Sequence, residues 1–535
     1  MKTHTNRRAR GALRGSPLEI GMQHGLVRAL VLAQIIAPIS VRAQVVAVPG
    51  GPNVVQTANG LQQVNITTPT AAGVSKNVYS QFDVPRQGVI LNNSPTIVNT
   101  QQAGYVNGNP NLARDQAARV ILNQVNSNSP SQLRGYLEVA GKAAQVVVAN
   151  SAGIMVDGGG FINTTRAVLT TGIPIMGADG SLAGYQVNGG RLVIQGDGLN
   201  AANVDQVDLI ARAVQVNAAL HAKQLNVVTG TNRVDHETLA VQKTTGDGVA
   251  PDVAVDVGQL GGMYAQRIFL VGTENGVGVS NKGVIAAQAG DLTLTTEGKL
   301  VTTGKTEATG NVSLNARAGI DNQGSVYAGG FADVRTGGIL DNSGVLSAAG
   351  NLIAQAAGLT SGGTLGAGID ADGQATLAGS LTVTASGKVV ATGRNVARGD
   401  MTVVADTLDL SGSRTDASQS LSLTSQAGDI DLQRAIVTAS NALSVKAAQG
   451  LLNANGVLSA DTITLAALGR IDNTDAQTAA RTRLDVTGEN LDNQRGLFQS
   501  GGLLKVRGGS AEQHRRTRRI ARRRRNVHRY RRRIA

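Results

Sequence analysis

Short runs in which every second residue is apolar occur along most of the chain. Residues 292–295 (LTLT), 381–384 (LTVT) and 421–424 (LSLT) are clear examples, and glycine or asparagine separates such runs. A period of two is typical of strands that bury one face, and the Gly and Asn residues mark tight turns. The pattern therefore predicts an all-β protein.

Residues 201–221 (AANVDQVDLIARAVQVNAALH) are the segment that most resembles an amphipathic helix. The apolar count alone permits a helix, but the segment is rich in Val, Ile and Asn, which are poor helix formers. Val214, Val216 and Ala218 also alternate with polar residues. We therefore expect strands here.

A 20-residue repeat appears in the second half of the chain. The triplet Ile-Asp-Asn at residue 320 recurs as Leu-Asp-Asn at residue 340, and related triplets begin at residues 451, 471 and 491. A period of this length made only of strand signals predicts a β-solenoid with rungs of roughly 20 residues, about 23 in all. Asparagines at the corners are expected to form ladders along the axis.

The composition agrees with thin, repetitive layers. Aromatic residues make up 2% of the chain and charged residues 16%, while glycine contributes 68 of the 535 residues. The net charge of +13 belongs to the ends, because residues 1–43 contribute +6 and residues 510–535 contribute +11. The body between them carries −4, so we expect it to bind no nucleic acid.

The two ends differ from the body. Residues 1–43 have a basic region followed by an apolar run, and Val41-Arg42-Ala43 precedes Gln44, which predicts a signal peptide cleaved between Ala43 and Gln44. Residues 510–535 contain twelve arginines and no β pattern. We interpret them as the product of a lost reading frame; the alternatives are a basic disordered tail and an arm for nucleic acid or anionic surfaces.

Few residues of the body suggest catalysis. The chain has no cysteine, and the body has two histidines, His221 and His236, which we expect to be solvated turn or rung residues. No nucleophile, phosphate-loop or zinc motif occurs. We expect no enzyme activity, cofactor or metal. For the alternative of a β-helical polysaccharide-degrading enzyme, the candidate carboxylates are Asp205, Asp208, Asp252 and Asp256.

One adhesive tripeptide, Arg398-Gly399-Asp400, lies in the repeat region. In an exposed loop such a tripeptide can bind a receptor through the arginine and through an aspartate that completes a metal site. The alternative is an ordinary glycine turn between rungs.

A family resemblance covers the first half of the chain. Asn109-Pro110-Asn111-Leu112 (NPNL) and Asn150-Ser151-Ala152-Gly153-Ile154 (NSAGI), where Ser151 stands in place of a proline, are similar to the motifs of filamentous-haemagglutinin-like exoproteins exported by two-partner secretion. Further matching segments are residues 79–84, 88–94, 119–126, 131–140, 153–174, 208–218 and 259–273. The resemblance assigns residues 44–290 to a secretion domain and residues 291–509 to haemagglutinin-type β-helix repeats.

The resemblance implies a right-handed parallel β-helix without an enzyme site. It also implies a partner, an outer-membrane β-barrel transporter with POTRA domains, so that the chain crosses the membrane but does not span it. The NPNL and NSAGI turns, namely Asn109, Pro110, Asn111, Leu112, Asn150, Gly153 and Ile154, are expected to nucleate rungs or to contact the transporter. The expected location is the surface of a Gram-negative bacterium or the medium around it.

Two functions fit this family. The first is an adhesin that binds a receptor or glycan on a host or neighbouring cell through its long β-helix. The alternative is the stalk of a contact-dependent growth-inhibition toxin. The degradative enzyme described above is the third hypothesis, from a different class.

Overall fold

The computed structural model describes residues 44–508, and every helix-or-strand element in this range is a β-strand. None of the described residues forms a helix long and apolar enough to cross a membrane. The predicted signal peptide with Ala43, and the predicted tail at residues 510–535, lie outside the described residues.

Among the described residues, the two small antiparallel sheets are both formed by strands that lie before residue 287. The strands up to residue 287 are, in chain order, β1 (Val45–Ala47), β2 (Asn53–Gln56), β3 (Gln62–Asn65), β4 (Val74–Phe82), β5 (Val89–Asn93), β6 (Val98–Thr100), β7 (Gly104–Val106), β8 (Val120–Val125), β9 (Ser131–Leu133), β10 (Tyr136–Gly141), β11 (Ala144–Asn150), β12 (Ile154–Val156), β13 (Gly159–Ile162), β14 (Thr164–Thr170), β15 (Ile173–Met176), β16 (Leu182–Val187), β17 (Arg191–Ile194), β18 (Leu199–Ala211), β19 (Ala213–Val216), β20 (Ala219–Thr229), β21 (Asn232–Asp235), β22 (Val241–Lys243), β23 (Val253–Val257), β24 (Gly262–Gly272), β25 (Gly278–Asn281) and β26 (Val284–Ala287).

The later strands follow the repeat. They are β27 (Leu292–Thr296), β28 (Lys299–Thr302), β29 (Lys305–Ala308), β30 (Val312–Ala316), β31 (Gly319–Asn322), β32 (Ser325–Ala328), β33 (Ala332–Thr336), β34 (Ile339–Asn342), β35 (Val345–Ala348), β36 (Leu352–Ala356), β37 (Gly358–Ser361), β38 (Thr364–Ala367), β39 (Leu381–Ala385), β40 (Lys388–Val390), β41 (Arg394–Ala397), β42 (Met401–Ala405), β43 (Thr407–Asp409), β44 (Arg414–Ala417), β45 (Leu421–Ser425), β46 (Ile430–Asp431), β47 (Ile436–Ala439), β48 (Ala442–Ala447), β49 (Leu451–Leu452), β50 (Val457–Ala467), β51 (Arg470–Asp472), β52 (Gln477–Thr487), β53 (Asn490–Asp492), β54 (Leu497–Ser500) and β55 (Leu503–Arg507).

The rungs stack in parallel and form the predicted β-solenoid. In the repeat, β30, β31 and β32 pair with β33, β34 and β35, and each residue pairs with the one 20 positions later, as Ile320 does with Leu340. Alternate residues of these strands are buried and form one continuous core of Leu, Val, Ile and Ala along the solenoid. Residues 201–221 lie in β18, β19 and β20, so the prediction of strands there is confirmed.

The solenoid has about 18 turns of about 21 residues, so the rung length is confirmed but the prediction of 23 rungs is wrong. The reason is that many residues of the first half are used outside the parallel rungs. Strands β2 and β3 pair antiparallel, β6 and β7 form a two-stranded sheet, and β15, β16, β21 and β22 form a four-stranded antiparallel sheet.

Asparagine ladders run between rungs as predicted. Asn322 donates its side-chain N–H to the Asn342 carbonyl oxygen at 2.7 Å. Asn453 donates to Asn473 at 2.9 Å, and Asn473 donates to Asn493 at 2.6 Å. Each side chain is therefore fixed by its equivalent one rung away, which gives the corner a single register.

Candidate functional site

The NPNL turn lies between β7 and β8 and is hydrogen-bonded to strand β5 and to the residue that follows β3. Asn109 is 1% exposed and donates its side-chain N–H groups to the carbonyl oxygens of Ile66 and Asn92, both at 2.9 Å. Its own side-chain oxygen accepts the N–H of Asn111 at 2.9 Å, and its backbone oxygen accepts that of Leu112 at 3.2 Å. The turn is therefore closed by its first residue, as an Asx turn.

The NSAGI turn between β11 and β12 repeats this arrangement. Asn150 is 1% exposed and donates to the Ser129 carbonyl and to the Ser131 hydroxyl, both at 3.0 Å. Its side-chain oxygen accepts the N–H of Ala152 at 3.0 Å, and its backbone oxygen accepts that of Gly153 at 3.0 Å. The two motifs are thus the same turn, used on different rungs.

Ser151 occupies the position that corresponds to Pro110, and the turn keeps its hydrogen bonds without the proline. Gly153 has a φ of +124°, a conformation that favours glycine, and its carbonyl accepts the N–H of Ser131 at 3.1 Å. Ile154 follows at once with a fully buried side chain. Each motif therefore turns the chain and then delivers an apolar residue, Leu112 or Ile154, to the core.

The hydrogen-bonding groups of Asn109 and Asn150 are all used inside the protein, whereas Pro110 and Ser151 are exposed. In the folded protein these asparagines can therefore act only through the turn geometry that they impose. A role in nucleating rungs fits this arrangement directly. Contact with a transporter through these side chains would have to precede folding.

The Arg-Gly-Asp tripeptide lies at a corner between β41 and β42. Arg398 and Asp400 are exposed and Gly399 is buried, with its N–H bonded to the Gly379 carbonyl at 2.7 Å. One carboxylate oxygen of Asp400 accepts the N–H of Ser420, one rung later, at 2.9 Å. The aspartate therefore contributes to a corner ladder, and its receptor-binding role stays a prediction.

The prediction that both histidines are solvated is wrong for one of them. His221 is exposed and stacks on Tyr264 with ring centroids 5.2 Å apart, but His236 is only 1% exposed. His236 lies after β21, where the four-stranded sheet covers it, and burial together with the nearby Arg166 guanidinium lowers its pKa to about 4. This burial has no signal in the local sequence.

The candidate carboxylates of the enzyme hypothesis do not meet in a groove. Asp208 is fully buried and forms an ion pair with Arg166 at 2.6 Å, because both lie beneath the four-stranded sheet. Asp205 instead pairs at 2.7 Å with Lys223 on the surface. Within residues 44–508, no three His, Cys, Asp or Glu side chains are placed to hold a metal ion.

Sequence reasoning missed Arg166 and Glu138, two buried charged residues that position the insertions. Arg166 pairs with Asp208, and the Glu138 carboxylate accepts the N–H groups of Gln101 and Gln102 at 2.6 and 2.9 Å. These bonds fix the tip of the β6–β7 hairpin. A charged residue inside an otherwise apolar strand run, as in residues 164–170 (TTRAVLT), was the available signal.

Comparison with known proteins identifies the region that contains both turns. The family model of the TPS secretion domain matches residues 43–302, which include the NPNL and NSAGI turns and all four antiparallel strands that cover His236. The chain is a filamentous-haemagglutinin-like two-partner secretion protein. Two-partner secretion exports such a protein through the outer membrane of a Gram-negative bacterium to the cell surface, with an outer-membrane transporter as partner.

The similarity to curated relatives continues past this domain. The chain is 48% identical over 441 residues, or 82% of its length, to "tRNA nuclease CdiA-2" of Burkholderia pseudomallei. It is 43% identical to "Toxin CdiA" of Yersinia pestis over an alignment of 540 positions that covers 94% of this chain. The chain spans only 14% and 16% of the length of these two relatives.

A solved structure, the crystal structure of the filamentous hemagglutinin secretion domain, is also similar. It is 31% identical and covers 55% of this chain and 96% of its own, with a TM-score of 0.45.

Proposed function

We propose that this two-partner secretion protein is the export domain and the adjoining stalk of a contact-dependent growth-inhibition toxin of the CdiA type. The observation that supports this is the extent of the similarity. It covers 82–94% of the chain, so it includes repeat rungs well beyond the secretion domain at residues 43–302. Export alone would require similarity only in the secretion domain.

In this proposal residues 44–508 carry no catalytic activity, and the effector activity named for the relatives belongs to a part of those proteins that this chain does not match. The solenoid acts as a spacer, because each rung adds about 4.8 Å and depends mainly on its neighbours. The partner is an outer-membrane β-barrel transporter with POTRA domains. It receives the secretion domain before the rungs fold.

A hybrid protein tests the proposal. Residues 1–508 of this chain replace the matching N-terminal part of the Burkholderia relative, whose remaining sequence is kept, and the hybrid is produced with the transporter of that relative. We expect the hybrid to reach the surface and to inhibit target cells in co-culture. Surface display without inhibition would contradict a toxin stalk. The matched control is a hybrid that keeps residues 1–302 but lacks the repeat rungs of residues 303–508.

Adhesion is the second candidate, and the observation that favours it is the exposure of Arg398 and Asp400. Asp400→Asn separates the two roles of this residue, because an amide oxygen can still accept the Ser420 N–H but cannot complete a receptor metal site as a carboxylate does. An adhesin that uses this tripeptide should lose cell attachment in the variant while its melting temperature stays the same. Unchanged attachment would exclude this site.

A further inference from the structure

The four-stranded antiparallel sheet lies over one outer face of the secretion domain. We call β15, β16, β21 and β22 the strap. Apolar side chains of the strap pack on outward-facing residues of the parallel strands in a cluster separate from the solenoid core; its buried members are Val74, Val120, Leu122, Val147, Ala149, Val168, Leu182, Tyr185, Val187, Ile210, Val228 and Val234. The strap therefore covers an apolar face that spans several rungs.

A buried ion pair ties the strap to these rungs. Asp208 of β18 accepts hydrogen bonds from the Arg166 Nε at 2.6 Å, from Asn226 at 2.7 Å and from Gln206 at 3.0 Å. Arg166 of β14 then donates a second N–H to the backbone carbonyl of His236 at 2.6 Å. The Arg166 guanidinium thus connects Asp208 on the solenoid face to the His236 carbonyl beside β21. This carbonyl loses its hydrogen-bond donor if the strap moves away.

The imidazole of His236 is held at both nitrogens. Nε2 lies 3.0 Å from the side-chain oxygen of Gln145 in β11, and Nδ1 lies 2.7 Å from the hydroxyl of Tyr185 in β16. Because an amide oxygen only accepts, Nε2 carries the proton, and Nδ1 accepts the Tyr185 O–H. The neutral ring therefore joins the strap to a rung through both of its nitrogens.

Protonation of His236 changes its contact with Tyr185. A proton on Nδ1 makes this nitrogen a donor to the Tyr185 oxygen, so the O–H of this fully buried side chain loses the acceptor that it has among residues 44–508. It also places a positive charge near Arg166. Asp208 is already saturated by Arg166 and two amides, and Asp235 and Glu237, beside His236 in its own turn, offset the new charge only partly because both are exposed. Burial and Arg166 accordingly lower the pKa of His236 to about 4.

We infer that the strap is an acid-sensitive element, which stays closed over the rungs while His236 is neutral and detaches when His236 is protonated. Detachment exposes the apolar face beneath the strap while the continuous solenoid core, which the strap does not contribute to, keeps the rungs stacked. This inference does not depend on whether the chain belongs to a toxin or an adhesin.

Hydrogen exchange of the purified full chain tests the inference. Exchange is followed by mass spectrometry between pH 7 and pH 4, with rates corrected for the intrinsic effect of pH. We expect residues 173–187 and 232–243 to exchange faster at pH 4 by on the order of 100-fold, which is the population shift for a histidine that titrates at 6.5 when released. Residues 381–425 of the repeat should show no such change.

Variants assign the effect to one residue. His236→Gln should remove the pH response of the strap, whereas His221→Gln, which changes an exposed histidine on β20, should leave it unchanged. Strap residues that are equally protected at pH 4 and pH 7 in the unmodified chain would overturn the inference, and this result needs no variant to fold. A response that persists in His236→Gln would also overturn it, because carboxylates would then be responsible.

Discussion

The secretion domain and the repeat rungs beyond residue 302 use the same rung but stabilise it with different contacts. Among residues 44–508, the four largest fully buried side chains are Tyr79, Tyr185, Phe82 and Phe161, and all four lie in the secretion domain. So does the buried ion pair of Arg166 and Asp208. In the repeat the core is mainly Leu, Val and Ala, the corners carry Asn ladders, and ion pairs such as Arg414–Asp416 lie on the surface.

This difference separates contacts that occur once from contacts that recur. A repeat rung meets equivalent residues above and below, so its stability is approximately a sum over neighbours. The secretion domain adds insertions whose contacts join residues far apart in sequence, such as His236 and Gln145, which are 91 positions apart. A substitution should therefore have a larger effect on stability in the secretion domain than at a matched position in the repeat.

The largest expected effect comes from removing one partner of the buried ion pair. Arg166→Met leaves the Asp208 carboxylate buried without its cation, and we expect it to lower the free energy of unfolding by about 3–5 kcal/mol. Arg414→Met, on an exposed pair of the repeat, should cost less than about 1 kcal/mol. Urea unfolding followed by circular dichroism measures both, and equal losses would contradict the comparison.

The next effect concerns the NPNL and NSAGI turns. Asn109→Ala removes the side-chain donors to the carbonyls of Ile66 and Asn92 and the acceptor of the Asn111 N–H, and we expect a loss of about 2–4 kcal/mol and export reduced at least about tenfold. Protein in the culture supernatant is measured by immunoblot. Ser151→Pro is the control, since it places in the second turn the proline that the family motif has there and should preserve export. Undiminished secretion of Asn109→Ala would refute a role for the turn.

Lowering the pH should reduce the stability of the secretion domain more than that of the repeat, by a smaller amount than the substitutions above. The pKa of His236 is about 4 in the folded protein and 6.5 in the unfolded chain, so the unfolded state binds more protons between these values. Stability from this residue is complete above pH 6.5 and falls as pH decreases, by roughly 2–3 kcal/mol at pH 4.5. Calorimetry of the full chain at pH 7 and pH 4.5 measures the loss.

The repeat should be insensitive in this pH window. Residues 303–508 contain no histidine. The hydrogen bond from Arg495 lowers the pKa of Asp475, so the contribution of this pair is lost only below the usual aspartate range. Exchange of repeat residues that accelerates between pH 6.5 and pH 4.5 as much as that of the strap would contradict the distinction.

The smallest effect is a gain of stability in the repeat. Arg434 has a φ of +59°, a left-handed conformation that costs a non-glycine residue free energy, and its side chain is exposed. Arg434→Gly should raise the free energy of unfolding by up to about 1 kcal/mol. Arg414 is the first residue of strand β44, so Arg414→Gly should instead lower the free energy of unfolding. Urea unfolding of the two variants measures both changes.

The solenoid could be predicted because its contacts follow a period. Residues 20 apart in sequence pair in space, as Ile320 and Leu340 do, so the period of the sequence directly predicts which residues are in contact. The NPNL turn was also predictable, since the asparagine that begins it bonds within its own four residues as well as to its neighbours. Both features depend on residues close in sequence or on a fixed repeat, so the sequence alone is enough to predict them.

The strap could not be predicted in the same way. Its strands come from two segments with rungs between them, and its contacts, such as Tyr185 with His236, 51 positions apart, occur only once. The sequence by itself determined the strands, the rung length and the NPNL and NSAGI turns, because these depend on neighbours along the chain and on a repeating register. Only the tertiary structure decided that His236 and Asp208 are buried, because the sheet that covers them assembles from segments that no local pattern connects.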